Sequence, residues 1–187
     1  MRKTKRKQMI QRIYKVLAYF LAATKGQTIK QLRKKGAIIG ENVQLLASSV
    51  DPNTACLIEI GDCVTITKAT IYAHDASTKI YLGYTKIAKT IIGSHVFIGA
   101  GSIILPGVTI GNYVVVGAGS IVRGDVPDNS VVMGNPAKII CPLDKYLQKN
   151  EERMKDALVC NKAISEMSVE EKIRVRENIG NNIGYEL

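Results

Sequence analysis

The chain is 187 residues long, 46% hydrophobic and formally +10 at neutral pH, which suits one domain with small appendages and a sizeable core. Its longest apolar run, Val16 to Ala23, falls short of the roughly 18 residues a membrane-spanning helix needs, and no secretory cleavage site follows the basic start. The four cysteines, Cys56, Cys63, Cys141 and Cys160, show neither metal-ligand spacing nor a redox pair, so reduced thiols in a cytoplasmic protein are expected.

The excess charge sits at one end. Residues 1–40 hold twelve Lys or Arg and no acid, whereas residues 41–187 hold fourteen bases against sixteen acids. Apolar residues at Ile10, Ile13, Val16, Leu17, Phe20 and Leu21 have helical spacing, and residues 9–35 are predicted as one or two helices broken near Gly26. Residues 1–36 thus read as a basic amphipathic arm. It can pack its stripe on the end of the following fold. Equally, residues 1–24 can lie on an anionic membrane surface from the cytoplasmic side. Nucleic acid is not expected, since the rest of the chain offers no basic surface and little for bases to stack on.

From residue 37 to 141 a six-residue beat dominates. An aliphatic residue recurs at Ile92, Ile98, Ile104, Ile110, Val116 and Val122, with glycine after four of them. Four places further on stands a small or β-branched residue: Val96, Ser102, Val108, Val114, Ser120 and Val126. No helix has this period, whereas a triangular coil of three hexads per turn does, so a parallel β-helix is predicted. The beat also appears at Ile39, Ile60 and Ile66. It breaks between Val43 and Leu57, where Asp51-Pro52-Asn53 marks a turn. It breaks again after Tyr72 and resumes at Ile92, an offset of twenty. A loop over about 74–90 is therefore expected, the kind of excursion in which repeat proteins carry specificity. The repeat closes in a turn-rich exit, GDVPDNSVVMGNPAKII, and residues 142–187 read as helices. Ser168 and Glu171 form a capping box for the last one. Helical segments at both ends would cover the open ends of the coil.

Two histidines narrow the chemistry. His95 sits inside a regular hexad at an outward position and is expected in solvent or at an interface. His74 breaks the beat and opens the loop, with Asp75 beside it. Imidazole titrates near neutrality and can take a proton from a hydroxyl attacking a carbonyl. Asp75, or a backbone carbonyl, could fix its tautomer. A zinc hydratase on such a coil would need three imidazoles, and the chain has two. A coil without catalysis, serving as a binding scaffold, is the other alternative.

The segments LRKKGAIIGENV, LIEIGDCVTIT, AHDASTK, IGSHVFIGAGSIILPGVTIG, VVGAGSIV and VPDNSVVMGNPAKII together resemble the hexapeptide-repeat acyltransferases of the left-handed β-helix superfamily. The likeness is to bacterial capsule and exopolysaccharide O-acetyltransferases, with galactoside and maltose acetyltransferases as cousins. It implies a homotrimer with sites in the grooves between subunits, acetyl-CoA as donor and no metal. It implies His74 as general base for direct attack of a sugar or glycan hydroxyl on the thioester. N-acetylation of an amino sugar or nucleotide sugar is the alternative. Donor contacts carried over by the resemblance are Ala100, Ala118, Arg123 and Lys138. The two alanines would leave room for pantetheine, and the two cations would meet phosphate. Arg123 departs from the threonine usual in the galactoside type, and Phe97 from a frequent tryptophan. The acidic acceptor motif of those cousins has no counterpart, because no acid precedes Glu41. Asn53, Tyr84 and Lys86 are candidate acceptor contacts, with a turn role also open for Asn53.

Overall fold

The structure, a computed structural model, describes residues 28–187. The helical arm expected before residue 28, and the membrane contact expected of residues 1–24, lie outside the described residues. No described helix is long and apolar enough to cross a membrane. The chain divides into two units, the first ending at Ile140 and the second running over Cys141–Leu187.

The first unit opens with helix α1 (Ile29–Lys34), closed at its start by a capping box between Thr28 and Gln31. Leu32 is its one buried residue. Short strands then wind into a left-handed parallel β-helix. One face stacks β1 (Ile38–Ile39), β4 (Ile58–Ile60), β9 (Thr90–Ile92) and β12 (Thr109–Ile110). A second stacks β2 (Gln44–Leu46), β5 (Thr65–Thr67), β10 (Phe97–Ile98), β13 (Val114–Val116), β15 (Ser130–Gly134) and β16 (Ala137–Pro142). The third stacks β3 (Ser49–Val50), β6 (Thr70–Ile71), β11 (Ile103–Ile104) and β14 (Ile121–Val122).

The register explains the beat. Phe97 pairs with Val115, Ile103 with Ile121 and Ile91 with Thr109, each eighteen residues on. One turn of the prism is three hexads, so one aliphatic residue per hexad points into a shared core. All six of these aliphatics are buried, and the small residues four places later are buried as well. Earlier coils deviate. Ile38 pairs with Glu59 and Gln44 with Thr65, an offset of 21. The three extra residues lie around Asp51-Pro52-Asn53 and a 3-10 turn at Ala55–Leu57. Between Thr70 and Ile103 the offset is 33.

That larger offset is the expected excursion, and it has its own structure. β7 (His74–Asp75) pairs antiparallel with β8 (Lys86–Ile87), a 3-10 turn spans Ala76–Thr78 and a single helical turn, α2, spans Lys79–Leu82. The structure corrects the beat just before it. The core residue is Ile71, five positions after Ile66, and Tyr72 lies outside the core. The corner at Lys68, in the left-handed region at φ 43°, turns the chain one residue early. The turn-rich exit is also corrected, because it contains β15 and β16.

The second unit carries α3 (Leu143–Met154), the parallel pair β17 (Val159–Cys160) and β18 (Tyr185–Glu186), and α4 (Val169–Ile179). The Ser168–Glu171 capping box opens α4 as the spacing predicts, and Lys162 holds Glu171 at 2.9 Å. The β17–β18 pair has no counterpart in the sequence reading.

Candidate active site

A groove of about 690 Å³ lies where the excursion leaves the coil. Tyr72, Leu105 and Arg123 follow the strands of the third face, one above another: the Tyr72 amide donates to the Ile104 carbonyl at 3.0 Å and the Leu105 amide to that of Val122 at 3.0 Å. His74, Asp75, Lys86 and Ile87 supply the opposite wall from the β7–β8 pair. Leu105, Pro106 and Ala88 add apolar lining, and His74, Asp75, Lys86 and Arg123 add titratable groups.

His74 is held from below. Its Nδ1 is hydrogen-bonded to Oδ2 of Asp51, one coil earlier. Val50 pairs with Ile71, so Asp51 stands beneath Tyr72 and reaches the imidazole two residues on. The Asp51 side chain is 1% exposed and that of His74 is 29% exposed, so the carboxylate is sealed while the ring stays reachable. Buried acids need partners, and Asp51 has three: Thr54 Oγ1 donates to Oδ2, the Asn53 amide donates to Oδ1 at 3.0 Å, and His74 completes the set. Burial pushes the Asp51 pKa up. The bonds from Thr54, His74 and Asn53 outweigh it and keep the carboxyl ionised below its ordinary value. An ionised carboxylate only accepts, so Nδ1 carries the proton and donates. In the neutral ring Nε2 is then the free acceptor, as a general base requires. Tyr72 supports the ring edge-on, with centroids 6.3 Å apart.

Asp75, expected to fix the tautomer, does something else. It takes the Lys86 ammonium at 2.6 Å and caps the following 3-10 turn through the Ser77 amide at 2.8 Å. The Lys86 contact, with the Ser77 bonds, holds the Asp75 carboxyl far below the usual range. Asp75 and Lys86 therefore brace the loop, and the orienting acid is Asp51. The sequence reading missed it because Asp51 stood there only as part of the Asp51-Pro52-Asn53 turn.

The other predicted residues separate into groups. Arg123 lines the groove with His74. Ala100 and Ala118 do not. They stack in adjacent coils at another corner, between the second and third faces, where the Gly119 amide donates to the Ala100 carbonyl at 2.8 Å. Both are exposed, and Lys138 is exposed on β16. Asn53 serves the Asp51 turn through its amide. Tyr84 is exposed, outside the groove, and its carbonyl accepts from Thr78 Oγ1 at 2.8 Å. His95 is an exposed corner residue stacked on Tyr113 at 4.7 Å. Among the described residues, no three His, Cys, Asp or Glu side chains gather as a metal would need.

Residues 89–124 match the bacterial transferase hexapeptide family of six repeats. The chain is 48% identical to Protein CapG of Staphylococcus aureus over 128 residues, which are 64% of this chain and 73% of that protein. It is 71% identical to nodulation protein L of Rhizobium meliloti (strain 1021) over 48 residues, 26% of each chain. Among solved structures, the polySia-specific acetyltransferase NeuO superposes with a TM-score of 0.50 at 32% identity, over 57% of this chain and 52% of that one. The hexapeptide-repeat acetyltransferase VCA0836 of Vibrio cholerae O1 biovar eltor, complexed with acetyl coenzyme A, shares the fold. Its TM-score is 0.52 at 24% identity, over 66% of this chain and 82% of that one.

Proposed function

Because the chain belongs to the hexapeptide-repeat bacterial transferases and is an acetyltransferase, we propose that it takes the acetyl group from acetyl-CoA and O-acetylates a hydroxyl of a sugar or glycan with His74 as general base. The observation that carries this reading is the bond from His74 Nδ1, in the groove lining, to the buried Asp51. His74 Nε2 takes the proton of the acceptor hydroxyl as its oxygen attacks the thioester carbonyl. The C–S bond breaks, the acetyl group stays on the oxygen, and the imidazolium returns the proton to the departing thiolate. Asp51 acts through His74, holding the tautomer and balancing the positive charge the ring acquires. Arg123, in the same groove, offers a permanent cation to the donor.

Ala100 and Ala118 fit the pantetheine arm, since small exposed residues in consecutive coils leave a strip open along the corner. That corner is one face of the prism away from His74. A homotrimer resolves the separation, because each subunit can bring its alanine corner to a neighbour's groove. The test is His74→Ala. Acetyl transfer should fall at least about a hundredfold, the usual cost of losing a general base, while acetyl-CoA still binds. Unchanged turnover would remove His74 from the reaction.

A further inference from the structure

The column of residues beside His74 changes character from coil to coil: Asp51, Tyr72, Leu105 and Arg123 follow one another up it. The six-residue period would bury position 72, six places after Ile66. Because the corner at Lys68 comes one residue early, Ile71 takes the core place instead. Tyr72 is turned out into the groove, 38% exposed. There it meets the His74 imidazole edge-on. Its hydroxyl has no hydrogen-bond partner among the described residues. Neighbouring coils lie about 4.8 Å apart, so Leu105 follows directly above Tyr72 and Arg123 roughly 10 Å above it. The charges at the level of His74 are already engaged. Asp51 is taken by Thr54, Asn53 and His74, and Asp75 by the Lys86 ammonium at 2.6 Å. An ammonium or a phosphate therefore finds no free counter-charge beside the base. An uncharged ring finds what it needs: an aromatic side chain and a leucine for its C–H face, and a free phenol for a hydroxyl at its edge. A pyranose has both the face and the rim of hydroxyls. An open-chain polyol has the hydroxyls without the face.

We propose that Tyr72, with Leu105, is the platform on which an uncharged pyranose ring of the acceptor lies, so that a ring hydroxyl is oriented toward His74; this rests on the O-acetylation reading above. The test uses the full chain with acetyl-CoA and compares kcat/KM for the methyl pyranosides of glucose, galactose and mannose with that for glucitol, galactitol and mannitol. Wild type should prefer the pyranosides. Tyr72→Leu should cut that preference at least ~10-fold, chiefly through a higher KM for the pyranoside, whereas Tyr72→Phe keeps the aromatic face and should hold it within ~3-fold. A tyrosine that only propped the imidazole would lower transfer to both kinds of acceptor alike. An unchanged ratio in Tyr72→Leu, or a wild type that takes the alditols as well as the pyranosides, therefore overturns the proposal while His74-dependent transfer still stands. So does a Tyr72→Leu variant that sediments as a smaller assembly, because the side chain would then be seated against a neighbouring copy. Transfer to none of these hydroxyls, or transfer unchanged in His74→Ala, overturns the O-acetylation reading and the proposal with it.

Discussion

At His74 the proposed chemistry depends on the position of one proton, and the bond to Asp51 sets that position. Asp51→Asn keeps the shape but removes the charge that favours a protonated Nδ1. Acetyl transfer should drop about 10–100-fold, seen in kcat, with the KM for acetyl-CoA unchanged. A purely structural role would instead lower the unfolding temperature and leave kcat alone. The same carboxylate links stability to acidity. Its folded pKa lies below the ordinary 3.8, so its contribution is complete above that value and is lost as pH falls through the folded pKa. Thermal melts should therefore show wild type losing stability below about pH 3.8, and Asp51→Asn showing a flatter profile there. His74 was legible in the sequence because it interrupts a regular beat. Asp51 was not, because its relation to His74 runs up the stack, through a coil with three extra residues, and no fixed spacing announces it.

The glycine that follows the aliphatic residue in four of the six repeats has a steric cause. A Cβ added at Gly93 would lie 2.7 Å from the carbonyl carbon of Gly111 in the next coil, and one at Gly61 would lie 2.8 Å from that of Gly93. Beside these glycines runs a ladder in which each coil's side chain accepts the amide of the coil below. Asp62 accepts from Glu41 at 2.7 Å, Ser94 from Asp62 at 3.0 Å, Asn112 from Ser94 at 2.8 Å and Asp128 from Asn112 at 2.7 Å. Gly93→Ala should cost ~1–3 kcal/mol through overpacking, read by denaturant unfolding. Gly124→Ala, which meets nothing within 4 Å, should be neutral. This stacking made the prism readable from period alone between Ile92 and Val122. The last strands were hidden because β15 takes its pairing from β13, residue for residue, rather than from a periodicity of its own. The loop's internal pairing was likewise invisible, since two strands of two residues each leave no pattern.

At the scale of the whole molecule, the proposed reaction needs two corners of one prism, which a trimer of neighbouring copies would bring together. Ala118→Trp should fill the pantetheine strip, just as His74→Ala removes the base, and each variant alone should be inactive. Co-expressed in equal amounts, the two should recover about a quarter of wild-type activity, because random closed rings place an intact base against an intact strip at that frequency. No recovery in the mixed assembly would show that both features serve one chain's own site. Within each chain the His74 imidazole depends on a neighbour one storey down the spiral. Fraying that begins at the amino-terminal end would cut this tether before it dismantles the upper storeys. On slow warming, turnover should therefore fade several degrees ahead of the β-sheet ellipticity, with the enzyme falling silent while most of its architecture still stands.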